Sequence, residues 1–211
     1  MEFEDLKQHH LKNGWKIKMQ RGEKNFDLLS GDGHYIRNIR EENRHKGGLL
    51  ISLIKAYGLK SGAEIGTSPG GTAQELLAKA SLRPFIMVER YPVKKLWGLL
   101  LMHDFPLTKE GDTQKPWVLM RMNTEEAHKF IADHSLGFVY IDCQHRYENV
   151  RDDIRNWMPK VQKGGVLAGH DYNPWGDPTR GGVAKAVDER FPSVNLEIDS
   201  DSKNCSWWVQ V

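Results

Sequence analysis

From Gly47 onward the chain alternates short apolar runs with amphipathic helical patterns, and this alternation constrains the fold more than any other feature. Strand candidates are Ala63–Gly66, Phe85–Val88, Trp117–Met120, Phe138–Asp142 and Val166–Ala168. Helical spacing runs through "LLISLIKAYGL" and recurs near 71–80, 92–102, 124–134, 147–161 and 182–190. Within 147–161, Val150, Ile154, Trp157, Met158 and Val161 fall on one helical face. At the end, "SVNLEI" and "CSWWVQV" flank the turn-rich "DSDSKN" and read as an antiparallel hairpin. The expected fold is α/β: a Rossmann-like, doubly wound, mostly parallel seven-stranded sheet closed by that C-terminal hairpin, with helices on both faces. Residues 1–46 are charged and weakly periodic, and read as a helical and loop extension, a lid or the acceptor side of a 47–211 domain. "GDGHY" at 31–35 is a turn signal, and 106–116 reads as a surface loop.

Composition excludes several classes. The net charge of +2 is too small to imply nucleic acid, and the first 46 residues carry ten Lys/Arg against eight Asp/Glu. Two cysteines, Cys143 and Cys205, are too few for a disulfide framework and favour a reducing compartment. "MEFEDLKQHH" offers no signal-peptide core, and no apolar run is long enough to span a membrane. A cytoplasmic protein without membrane or nucleic-acid partners is expected, its oligomeric state left open, with a homodimer among the admissible assemblies.

The stretch "AEIGTSPGGTAQELLAKA" runs a strand into a Gly-rich turn and then a helix. Gly66 and Gly70 permit a sharp turn and close ligand approach, and the following helix presents free N–H groups to an anion. Thr72 and Glu75 also match a helix capping box. The spacing is G-x-x-x-G, not the G-x-G-x-x-G of dinucleotide sites. Glu64 precedes the first glycine, where its carboxylate repels a pyrophosphate but suits a cation. Glu89 ends the second strand 23 residues beyond Gly66, the usual place for an acid that binds ribose hydroxyls. A ligand with a ribose, a carboxylate and a positive charge is implied, and S-adenosylmethionine has all three. The cofactor set is Glu64, Gly66, Thr67, Ser68, Gly70, Thr72, Glu89 and Arg90, together with Asp142.

"AEIGTSPGGT", "MVER", "VYIDCQHRYENVRDDIRNWMPKVQKGGVLAGHDY" and "GGVAKAVDERFP" resemble the class I S-adenosylmethionine-dependent methyltransferases over roughly residues 47–211. The closest resemblance is to the branch of catechol O-methyltransferase, macrolide-sugar O-methyltransferases and cephalosporin-hydroxylase-like proteins. The resemblance implies O-methylation of a small-molecule or sugar hydroxyl and places Asn123 and Thr124 beside adenine. An N-cap role for either residue is the competing reading.

Asp142 ends one strand and His170-Asp171 end the next. The related enzymes hold Mg²⁺ here through acidic side chains, so Asp142, His170 and Asp171 are the candidate metal ligands. His170 stands where those relatives have a carboxylate, and imidazole suits Zn²⁺, Fe²⁺ or Ni²⁺ better than Mg²⁺. Mg²⁺ on the two aspartates, a softer metal on His170, or no metal all remain open. His145 is the candidate base, on the resemblance and on its ordinary titration near neutrality, with Asp142 as its catalytic companion. Tyr147 and Tyr172 are candidates for the acceptor pocket, and 172–182 for a lid. A metal-dependent hydroxylase-like enzyme and a non-catalytic binding protein are the rival readings on the same fold.

Overall fold

A computed structural model of the chain describes residues 16–19, 25–29, 35–40, 46–67, 70–91, 117–172, 181–198 and 205–211. The expected helix near 92–102, the loop at 106–116, most of the 172–182 segment and Ser68 lie outside the described residues. Ten strands are present: β1 Lys16–Met19, β2 Asn25–Leu29, β3 Tyr35–Arg40, β4 Gly62–Ile65, β5 Phe85–Val88, β6 Trp117–Met120, β7 Leu136–Ile141, β8 Val161–Tyr172, β9 Val194–Ile198 and β10 Cys205–Gln210. Among the described residues the α-helices are α1 Lys46–Ala56, α2 Gly71–Lys79, α3 Thr124–Ala127, α4 Tyr147–Trp157 and α5 Gly181–Arg190. Hydrogen-bonded strands follow the order β9-β10-β8-β7-β4-β5-β6, with β3, β2 and β1 beyond β9. The seven anticipated strands and their antiparallel terminal hairpin are therefore present.

The described residues fall into two compact units, one drawn from 46–144, 152–169 and 210–211, the other from 1–45, 145–151 and 170–209. In the larger unit β6, β5, β4, β7 and β8 pair in parallel. Every residue of β4, β5 and β7 is buried, as expected of parallel strands covered on both faces. Gly62 lets β4 pass beneath the Phe138 ring, which stacks on Phe85 at 6.2 Å. Leu49, Leu50, Leu53 and Ile54 bury one side of α1. The chain runs from β4 outward to β6 and then returns to place β7 on the other side of β4. That reversal makes the carboxyl ends of β4 and β7 a topological switch point, where such sheets bind ligands. Val211 closes the same unit beside β8: its N–H donates to the Gly165 carbonyl at 2.9 Å and its carbonyl accepts from Gly164.

In the smaller unit β1–β2 and β2–β3 are antiparallel, β3 runs parallel to β9, and β9–β10 form the terminal hairpin. The expectation of helices in 1–46 is thus corrected, since its described residues before Lys46 are strands. "KIKM", "NFDLL" and "YIRNIR" alternate apolar and polar residues only briefly, and the surrounding charges obscure that period of two. The helix expected over 124–134 is one turn of α-helix followed by a 3-10 turn. The helix over 147–161 ends at Trp157, where Pro159 brings a 3-10 turn, and the strand expected at 166–168 extends over 161–172. Among the described residues no helix is long and apolar enough to cross a membrane.

Candidate functional site

The Gly-rich turn follows β4 at the switch point. Gly66 has φ +92°, and a Cβ there would lie 2.3 Å from the Asp142 carbonyl oxygen and 2.7 Å from Cys143 Cα. Its N–H donates to the Val88 carbonyl at 2.9 Å, and Asp142 N–H donates to the Ile65 carbonyl at 2.8 Å. The ends of β4, β5 and β7 are thereby drawn together around a residue that has no room for a side chain. Gly70, with φ 100°, is the N-cap of α2 and leaves the first helical N–H groups without a side-chain cap. Thr72 therefore lies inside the helix, and Glu75 pairs with Lys79 at 2.8 Å, so the capping-box reading does not hold. Thr67 is buried, and its hydroxyl donates to the Glu64 carbonyl at 3.4 Å.

Two acids of this edge are buried. Glu64 is 2% exposed within β4, and Glu89 is 5% exposed at the end of β5. Glu89 Oε1 accepts from the Tyr91 N–H at 3.0 Å, which fixes the carboxylate at the strand end, whereas Arg90 is exposed. Beyond β6, Asn123 occupies the N-cap of α3 in extended conformation, but its side chain makes no cap hydrogen bond. The N-cap reading of Asn123 therefore finds no support in its side chain. Thr124 instead donates its hydroxyl to Asp153 Oδ1 at 2.6 Å, while Cys143 Sγ donates to Asp153 Oδ2 at 3.0 Å. Burial and the neighbouring Asp153 push the Cys143 thiol well above its ordinary range, so Cys143 is a packed donor and no nucleophile. Burial raises the Asp153 carboxyl, partly offset by the Cys143 and Thr124 hydrogen bonds. Sequence reasoning passed over Asp153, which stands in the charged run of α4 with nothing in its spacing to mark it as buried.

In the smaller unit, three of the expected residues meet. His145 Nε2 lies 2.8 Å from Asp171 Oδ2, and His170 Nδ1 lies 3.2 Å from the same oxygen. Asp171 holds φ 56°, a left-handed backbone that costs free energy in any residue with a Cβ and is tolerated best by Asp and Asn. Burial pushes its carboxyl up, but the hydrogen bonds and charges of His145 and His170 outweigh this and hold it well below the usual carboxylate range. With Nε2–H donating to Asp171, His145 keeps its lone pair on Nδ1, and its side chain is 34% exposed. Gly182 permits α5 to approach the His145 loop closely, since a Cβ there would stand 2.4 Å from the His145 carbonyl oxygen. Tyr147 bonds Glu189 and carries Lys185 over its ring at 4.1 Å. Tyr172 is fully buried and donates to Asp188 at 2.8 Å, which makes it a packing residue where an acceptor-pocket wall was expected. Asp142, half-buried, follows the last residue of β7. Of the three candidate metal ligands, His170 and Asp171 meet within this unit, and Asp142 belongs to the larger one.

A model of the family described as methyltransferase domain matches residues 63–172, just over half of the chain. The solved structure of a candidate caffeoyl-CoA O-methyltransferase from Staphylococcus aureus is similar in fold. Its TM-score is 0.58 at 14% identity, covering 100% of this chain and 93% of that one. The O-methyltransferase TomG from Streptomyces achromogenes, involved in tomaymycin synthesis and solved in complex with S-adenosylmethionine, aligns with a TM-score of 0.57. Its identity is 11%, with 79% of each chain covered. The uncharacterized protein y4gI of Sinorhizobium fredii is 36% identical over 53 residues, which is 25% of this chain and 6% of that protein.

The Asp171 cluster has a signature in stability. A carboxyl held low in the folded state stabilises above its unfolded value, near 3.9, and that contribution is lost as pH falls below it. Asp171→Asn is expected to lower unfolding free energy by about 1–3 kcal/mol at pH 7, as for a buried charged hydrogen bond. The gap to wild type should narrow between pH 4 and pH 3. Urea denaturation across that range checks it, and a gap independent of pH contradicts it.

Proposed function

The chain belongs to the methyltransferase-domain family, and from that premise we propose that it transfers the methyl group of S-adenosylmethionine to a hydroxyl of a small molecule or sugar. The observation that carries the reading is the buried Glu89 carboxylate at the end of β5, one strand over from the Gly66 turn. A carboxylate so placed accepts hydrogen bonds from both hydroxyls of a ribose. The N-terminus of α2, whose N-cap is Gly70, offers donors to the amino acid's carboxylate, and a carboxylate at Glu64 would favour a cationic ligand over a pyrophosphate. The S-adenosylmethionine complex of TomG, a protein of similar fold, supports the same choice.

In this reading the acceptor oxygen attacks the methyl carbon in line. The C–O bond forms as the S–C bond breaks, and the sulfonium leaves as the neutral thioether of S-adenosylhomocysteine. The acceptor's proton passes to His145 Nδ1, while Asp171 holds Nε2–H and stabilises the imidazolium that results. Positioning and exclusion of water do the rest. If a divalent ion is used, His170 and Asp171 are the residues of the smaller unit that would hold it, a mixed carboxylate–imidazole pair that suits a borderline transition ion better than Mg²⁺. When bound, such an ion supplies Lewis-acid activation of the acceptor oxygen.

Glu89→Ala is expected to weaken S-adenosylhomocysteine binding by about a hundredfold or more, from two charged hydrogen bonds on the order of 1.5–3 kcal/mol each. Calorimetry on the folded variant measures it, and an unchanged dissociation constant removes Glu89 from the site.

For the base, His145→Ala is expected to lower the rate of methyl transfer by about 10²- to 10⁴-fold while leaving S-adenosylhomocysteine affinity within about twofold, which turnover assays and calorimetry check. Exhaustive chelation should leave the wild-type rate within about twofold if His145 and Asp171 suffice. A rate abolished by chelator and restored by a transition ion would transfer the activation to an ion at His170 and Asp171.

A further inference from the structure

We propose that Asp153 is a positioning residue for the cofactor's base, clamping the loops that follow β6 and β7 so that the Thr124 segment forms the adenine-side wall of the site. The inference rests on the S-adenosylmethionine reading above and extends it to a residue outside the ligand-bearing turns.

The strand order supplies the direction. A ligand anchored at the Gly66 turn after β4, with its ribose on Glu89 after β5, has the end of β6 as its next neighbour. The segment that follows β6, Met122 to Thr124, holds the residues that the family resemblance sets beside the base. Locally that segment is held by short-range backbone bonds, from Met122 N–H to the Met120 carbonyl at 3.1 Å and from Ala127 N–H to the Asn123 carbonyl at 3.0 Å. α3 is only four residues long, too short to be stable by its own hydrogen bonds, and its N-cap Asn123 makes no side-chain cap bond. What fixes its first residue is the 2.6 Å hydrogen bond from the Thr124 hydroxyl to Asp153 Oδ1. The other oxygen of the same carboxylate takes the Cys143 thiol at 3.0 Å, one residue beyond Asp142. Asp153 is 3% exposed, and a buried carboxylate is expensive to keep unless its hydrogen bonds secure something. Here they tie together two loops that bracket the Gly66 turn and Glu89 at the carboxyl edge of the sheet. Thr124 and Cys143 each donate to a single acceptor residue, so moving one loop loosens the other.

The test compares two ligands on four proteins. S-adenosylhomocysteine and S-ribosylhomocysteine differ only by the adenine, and each is titrated calorimetrically into wild type, Asp153→Asn, Asp153→Ala and Thr124→Val. Asp153→Ala and Thr124→Val should each weaken S-adenosylhomocysteine by about tenfold, as expected for loss of one charged hydrogen bond. S-ribosylhomocysteine should bind all four proteins within about twofold of one another, since its contacts lie at the Gly66 turn and Glu89. Asp153→Asn, which keeps one acceptor oxygen, should recover part of the loss. Equal losses for both ligands would reduce Asp153 to a general packing role and overturn the proposal, as would unchanged S-adenosylhomocysteine affinity in Asp153→Ala. If Asp153→Ala does not fold, unchanged affinity in Thr124→Val overturns it alone. Wild type that binds neither ligand would instead overturn the cofactor reading, and the proposal with it.

Discussion

The contact on which the carboxyl edge of the sheet depends is the one that excludes a side chain at Gly66. The Asp142 carbonyl oxygen stands 2.3 Å from where a Cβ would be, and the glycine backbone is already at φ +92°. Two separate demands, space and left-handed geometry, fall on one residue, and only glycine meets both. Hydrogen bonds from Gly66 to Val88 and from Asp142 to Ile65 then lock the ends of three strands together. Glu89, at the end of β5, and Asp142, just beyond β7, owe their positions to that pinch.

Around it, the larger unit keeps three buried acids with different environments. Glu64 lies inside a fully buried strand, Glu89 is fixed by a backbone N–H, and Asp153 by a hydroxyl and a thiol. Buried carboxylates are retained where a ligand or a loop repays their desolvation. A cationic, ribose-bearing ligand gives a use to the first two, and the loops after β6 and β7 give one to the third. The smaller unit has its own concentration of chemistry in His145, His170 and Asp171, with a strained backbone at the residue both imidazoles face.

Much of this was legible in the chain. Strand and helix periods in 62–172 are long and regular, so β4, β5, β6 and β7 fall within a few residues of their expected places. Gly66 follows β4 and Glu89 follows β5, as the strand spacing in the sequence implies, while Glu64 lies within β4. The misses have specific causes. β1, β2 and β3 carry a period of two too short to emerge from charged surroundings. Thr72 and Glu75 matched a capping box because sequence cannot show that the N-cap lies two residues earlier, on Gly70. Asp153 stayed hidden because the apolar stripe of α4, Val150, Ile154 and Trp157, marks its buried face without saying that an acid lies on it too. The engagement of Asp171, a candidate metal ligand, by two imidazoles is a tertiary fact that no local pattern encodes.

The measurement that bears most directly on this account is a calorimetric titration of the unaltered chain with S-adenosylhomocysteine, repeated in the presence of saturating NAD. The account predicts saturable heat with one ligand per chain and a dissociation constant that NAD leaves unchanged, because a G-x-x-x-G turn with Glu64 beside it is unsuited to a pyrophosphate. No heat with S-adenosylhomocysteine, or heat that NAD abolishes, would contradict it.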